Sequence, residues 1–146
     1  MMKSIRTAAT LAFAAFAPAA LAAPTHAILW KNPQCSCCEA YAAYMKAHGF
    51  DIALKPTNDL TQISAKAGVP ADMEGCHTMF IDGYAFDGLV PADIVRKVLA
   101  ERPQIAGVTL PGMPTGAPGM PGTKAGPLKI YAFTKDGRPP FVYAVE

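Results

Sequence analysis

Three of the chain's four cysteines stand within four positions, Cys35, Cys37 and Cys38, and the fourth, Cys76, stands beside His77. No other feature limits the covalent options of the chain as much. Thiols packed this closely cannot all reach a distant partner, so at most one of the three can bridge to Cys76 without strain. Two disulfides would need a pairing inside the cluster. Cys35 with Cys38 has the only comfortable spacing for it, leaving Cys37 for Cys76. The other uses for such thiols are disulfide exchange and the holding of a soft metal.

The compartment bears on that choice. Lys3 and Arg6 precede an apolar, alanine-rich stretch, residues 7–22, that closes on Ala20, Leu21 and Ala22. This is the pattern of a secretory leader, expected to be cut after Ala22, with residues 1–22 removed and 23–146 exported to a periplasm-like space. The apolar run is short and interrupted by Pro18, so no retained membrane span is expected. No cysteine follows the cut to carry a lipid. Without Lys3 and Arg6 the balance is eleven basic to eleven acidic residues, with no basic run, which makes nucleic acid a poor partner. About 124 residues remain, enough for one domain with one core.

Along the chain, residues 26–32 (HAILWKN) read as a buried strand, and a helix starts near Cys37 and ends at Gly49. Residues 50–55 alternate as a strand, and 58–68 form a short helix ending at Gly68. Residues 78–90 read as a hairpin turning at Asp82-Gly83, and 91–103 as an amphipathic helix with proline near its first turn. A Pro/Gly/Met-rich stretch without periodicity, 107–122, and a final hairpin, 128–145, complete the chain. The order βαβαββα, with a C-x-x-C spanning Cys35 to Cys38 after the first strand, resembles the thioredoxin fold.

The residue types around the thiols favour metal. Exchange needs one attacking and one resolving sulfur, and a third adds only competition. A metal cluster gains from it, because thiolates can bridge ions. Soft sulfur selects Cu(I), zinc or iron–sulfur centres. Zinc would be satisfied by Cys35, Cys37, Cys38 and either Cys76 or His77; copper makes better use of the extra sulfur. In a thioredoxin-like fold the segment entering the third strand faces the first helix and usually carries a cis-proline. Here Cys76, His77 and Thr78 stand there, ligand-type residues in place of a peptide-binding one. The plainer readings are a buried inert thiol for Cys76, a loop-orienting imidazole for His77, and gap-filling thioethers for Met113 and Met120. Tyr41, Tyr44 and Trp30 read as core, and His26 and His48 are left aside.

Together, NPQCSCCEAY (32–41), GCHTMFIDGYAFDGLVP (75–91) and LPGMPTGAPGM (110–120) resemble a family of small exported metal-binding proteins that includes the CopG-type periplasmic copper-resistance proteins. The similarity runs from about Ile28 to Val145. It implies a thioredoxin-like fold and a multinuclear Cu(I)–thiolate cluster, with interconversion of Cu(I) and Cu(II) as the proposed role. The C-x-C-C cysteines carry over to Cys35, Cys37 and Cys38, and the Cys-His pair to Cys76 and His77. Met113 and Met120 are further candidate soft ligands. A copper oxidoreductase is the first reading. A chaperone or store handing Cu(I) to an efflux or carrier protein is the second, and a thiol–disulfide oxidoreductase the third.

Overall fold

The computed structural model describes residues 24–146, so the expected leader lies outside the described residues. Strand β1 (Thr25–Lys31) buries Ala27, Leu29 and Lys31 and leaves Ile28 and Trp30 on the opposite, more open face, a period of two residues. Helix α1 (Ser36–Ala47) begins at an unusual cap: Cys35 Sγ accepts a bond from the Cys38 N–H, the place ordinarily filled by a serine or aspartate oxygen. Glu39 in its first turn and Lys46 in its last match the helix dipole. Strand β2 (Phe50–Pro56) then returns parallel to β1, pairing Thr25 with Phe50 through Lys31 with Pro56.

Helix α2 (Leu60–Ala67) and a single 3₁₀ turn (Ala71–Met73) lead into the hairpin of β3 (His77–Ile81) and β4 (Tyr84–Gly88). The turn falls at Asp82 and Gly83, both with positive φ (48° and 85°), the two-residue geometry that matches strand twist. Helix α3 (Ala92–Glu101) follows Pro91, and β6 (Lys129–Phe133) with β7 (Phe141–Val145) forms the terminal hairpin. One element departs from expectation. Gly107–Leu110, read above as the start of an irregular stretch, is strand β5, parallel to β4 and antiparallel to β6. All four of its residues are buried, so it shows no alternation, and it is too short for any period to declare itself.

All seven strands belong to one mixed sheet, ordered β2-β1-β3-β4-β5-β6-β7. The main core lies where Tyr41, Ala42 and Met45 of α1 and Ile94, Val95 and Val98 of α3 meet Leu29, Met79, Phe86, Val108 and Ile130 from the sheet. Each large side chain so buried contributes about 1.5–3 kcal/mol. A smaller cluster of Ala67, Val69, Ala85 and Phe133 sits under the end of α2 on the other face.

The Pro/Gly/Met-rich stretch after β5 is ordered against α1. Gly119 has φ 88°, and a Cβ there would lie 2.8 Å from both the Cys37 carbonyl oxygen and the Tyr41 nitrogen. Only glycine lets this backbone seat on the first turns of the helix. Ala117 is buried beside it, and the Met120 N–H closes a local turn onto the Ala117 carbonyl. Gly119→Ala should therefore lower unfolding free energy by about 2 kcal/mol through steric and backbone strain. Urea unfolding measures it, with far-ultraviolet circular dichroism expected to stay unchanged.

Candidate metal centre

Two segments distant in sequence meet because β1 and β3 run antiparallel. Their register pairs Trp30 with Thr78 and Lys31 with His77, so the chain leaves β1 toward Cys35 where Cys76 enters β3. Asn32 N–H donates to the Cys76 carbonyl (3.4 Å), and Cys35 N–H to the Asn32 carbonyl (3.1 Å), which closes the loop over the helix start. The result gathers Cys35, Cys37, Cys38 and Cys76, their four sulfurs all within 4.8 Å of one another.

Within the group, Cys35 and Cys38 form a disulfide, while Cys37 and Cys76 are free thiols. Cys37 Sγ lies 3.2 Å from Cys35 Sγ and 3.5 Å from Cys76 Sγ, and Cys76 Sγ lies 3.1 Å from Cys38 Sγ. Cys38 is fully buried; the other three are partly open. Burial, and then the hydrogen-bonded Cys37 beside it, push the Cys76 thiol up to about 12. In this state Cys76 holds its proton at neutral pH, and an arriving metal ion must displace it.

The remaining predicted residues fall at different distances from the sulfurs. Met113 Sδ is 3.8 Å from Cys37 Sγ, on an otherwise half-exposed side chain, so the loop after β5 brings a thioether to the solvent edge of the group. Met120 packs against the main hydrophobic core. His77 is completely buried under the group, with Nδ1 3.8 Å from Cys76 Sγ and its ring 4.6 Å from that of Tyr41. Its Nε2 has no hydrogen-bond partner among the described residues. Desolvation pulls the imidazole down to about 4, so it is neutral and free to act as a donor atom.

Two buried charged residues escaped the sequence reading. Asp87 Oδ1 accepts from the Gly75 N–H (2.6 Å) and the Thr109 hydroxyl (3.4 Å), and Oδ2 from the Thr78 hydroxyl (2.8 Å). The single Thr109 hydroxyl proton is shared with the nearer Met73 carbonyl (3.0 Å), and Ser64 meets Thr78 at 2.7 Å. This network holds residues 73–78 in place and thereby aims Cys76. Burial raises the Asp87 carboxyl to about 6 despite its donors. Lys31 is the other, buried under the loop that carries the cysteines. The alternation Ala27, Leu29, Lys31 carried that signal, since it turns the lysine inward with the core residues.

The comparisons add a family. Two solved structures of a copper resistance protein, CopG, in its Form 1 and Form 2, each match at 32% identity and a TM-score of 0.77, covering 84% of this chain and 98% of that one. The chain belongs to the CopG family. A family described as "Protein of unknown function, DUF411" also matches over residues 73–120, the span from before Cys76 to Met120. No curated protein matches. In this CopG-family chain the mixed sheet and the three α-helices among the described residues agree with the CopG fold.

His77 gives the site a measurable acid signature. Folded, it stays neutral down to about 4, whereas an unfolded histidine protonates near 6.5. Between those values the unfolded chain binds the extra proton, so this contribution to stability is intact above the window and is lost as pH falls through it. In the metal-free protein, His77→Gln should remove about 3 kcal/mol of acid sensitivity between pH 7 and pH 4. Asp87 gives an opposite slope, because its raised carboxyl binds a proton more tightly when folded, but it is common to both proteins. The difference between their urea-unfolding curves across pH therefore isolates His77. Parallel curves would contradict its neutral burial.

Proposed function

We propose that this is an exported, periplasmic copper-binding protein of thioredoxin-like architecture, a single domain after loss of residues 1–22. In this reading it holds a Cu(I)–thiolate cluster and interconverts Cu(I) and Cu(II) in copper resistance. The observation that carries the reading is the gathering of four sulfurs from two segments within 4.8 Å. Four thiolates in one place exceed the needs of one Cu(I) ion and suit several ions bridged by sulfur. Cys35, Cys37, Cys38 and Cys76 are the proposed ligands. His77 supplies a neutral nitrogen from below and Met113 a thioether at the open edge. Met120, packed against the core, is not needed by this set. The relatives' description as copper resistance proteins supports copper over zinc as the cargo.

The coexistence of a disulfide with two thiols supports the redox role. Oxidation of the Cys35–Cys38 dithiol to the disulfide releases two electrons and two protons, which balances the reduction of two Cu(II) to two Cu(I). The same four sulfurs can thus receive the Cu(I) or supply the electrons for it. A carrier or store handing Cu(I) to an efflux protein uses the same ligands without turnover. Either way the sulfurs must be reduced before they can all ligate.

Anaerobic titration of the fully reduced protein should bind more than one Cu(I) per chain, read by metal analysis after desalting. Cys76→Ser should weaken retention against a Cu(I) chelator by about tenfold or more, since it deletes a soft anionic ligand. His77→Ala should weaken it less, because the imidazole is neutral. A stoichiometry of one that Cys37→Ser leaves unchanged would contradict a cluster.

Turnover has its own test. The copper-loaded protein, treated with a mild oxidant and then re-reduced, should show a reversible change in its stopped-flow spectrum with the metal retained. Loss of copper at every oxidation would support the carrier instead.

A further inference from the structure

Strand β1 has two faces, and only one of them is fully covered. Ala27, Leu29 and Lys31 point to the main core, while Ile28 and Trp30 point to the side that carries α2. There Ile28 pairs with Phe80 and Trp30 with Thr78, so Ile28, Trp30 and Phe80 are direct or diagonal neighbours across the two strands. Seven strands make a sheet roughly 30 Å wide, whereas the eight residues of α2 run only about 12 Å. The helix cannot close that face. Between it and the β1–β3 pair lies a groove of about 380 Å³, floored by Ile28, Trp30 and Phe80 and walled by Ile63 of α2. Ile28 is 37% exposed, and Trp30 and Phe80 are half-buried. Single apolar residues on a surface need no explanation, but three adjacent ones lining one concavity, a tryptophan among them, mark a place for a ligand.

The charge around this groove has one sign. Lys66 and Lys135 line it, and no acidic residue does. Neither ammonium belongs to an ion pair among the described residues. Lys66 stands in the last turn of α2, where the helix dipole alone favours a cation. Lys135 has no such reason, and the carboxylate next to it, Asp136, is taken up by Thr134 and Arg138. We propose that the groove binds a small amphipathic organic anion, its apolar body lying on Trp30 and Phe80 and its carboxylate or sulfonate meeting the two ammoniums. The volume stands at the small end of ligand pockets, which suits a body of two rings or a chain of similar size. This site owes nothing to copper and stands whether or not the sulfurs hold a metal.

The test uses two dyes with one ring body, anilinonaphthalene sulfonate and its uncharged parent phenylnaphthylamine, and titrates the purified protein into each. The chain's one tryptophan gives one indole N–H resonance, a reporter inside the groove. The sulfonate should bind with a dissociation constant on the order of 10 µM, about fivefold tighter than the parent, and shift that resonance with the same midpoint. Lys66→Gln with Lys135→Gln should erase the fivefold preference and leave the parent's binding within twofold of wild type. High salt, about 1 M, should erase the preference in the wild type too. Ile28→Glu should weaken the sulfonate about tenfold with circular dichroism unchanged. Equal affinity for the two dyes, a preference that survives loss of both lysines, or binding that leaves the Trp30 resonance unmoved would each overturn the proposal. If the double lysine variant misfolds, the salt arm decides alone, and a preference undiminished by salt overturns it.

Discussion

The antiparallel pairing of β1 with β3 is the constraint on which the site depends. Lys31 opposite His77 and Trp30 opposite Thr78 put the exit of one strand beside the entry of the other, and the cysteines occupy that exit and that entry. A slip of one residue would turn His77 and Met79 out of the core and Thr78 into it, because side chains alternate across a strand. The buried face makes such a slip expensive: Leu29, Met79 and Ile81 are all essentially inaccessible. The hydrophobic core thus specifies, indirectly, the distance between sulfurs that lie some forty residues apart in sequence.

Around that pairing the molecule keeps several polar groups away from water. Asp87 ties down the segment before Cys76, and Lys31 ties down the segment before Cys35. Each holds one half of the sulfur group through backbone atoms rather than through the sulfurs themselves. His77 is the exception, since one of its ring nitrogens is buried without a partner among the described residues. A buried polar atom left unpaired costs on the order of 1–3 kcal/mol. The nitrogen near the sulfurs is the other one, Nδ1, 3.8 Å from Cys76 Sγ. The raised Cys76 thiol fits the same picture, because filling the site must release protons.

Much of this was legible beforehand, for identifiable reasons. The helix ends at Gly49 and Gly68 and the turn at Asp82-Gly83 announce themselves through residues with special backbone needs. Spacing made Cys35 with Cys38 the only comfortable pairing inside the cluster, and that bridge is present, whereas the Cys37–Cys76 bridge of a two-disulfide arrangement is not, both being free thiols. Strand β5 was not legible, since four residues buried on both sides carry no period. The stretch after it looked like an irregular linker, whereas the close seat of Gly119 on α1 depends on a helix that composition cannot locate. Lys31 and Asp87 were passed over for a related reason. A charged residue inside a strand is ordinarily placed outward, and only the alternation around it, or the partners brought by the fold, says otherwise. The gathering of Cys76 with the first cluster was an inference from fold resemblance. The β1–β3 register supplies its physical cause.

The most direct test of a single site built from both segments is X-ray absorption at the copper edge on the anaerobically Cu(I)-loaded protein. A first shell dominated by sulfur, with a short copper–copper vector that is lost in Cys76→Ser, is the expected result. A nitrogen- or oxygen-dominated shell, or a sulfur shell and copper–copper vector that Cys76→Ser leaves intact, would contradict it.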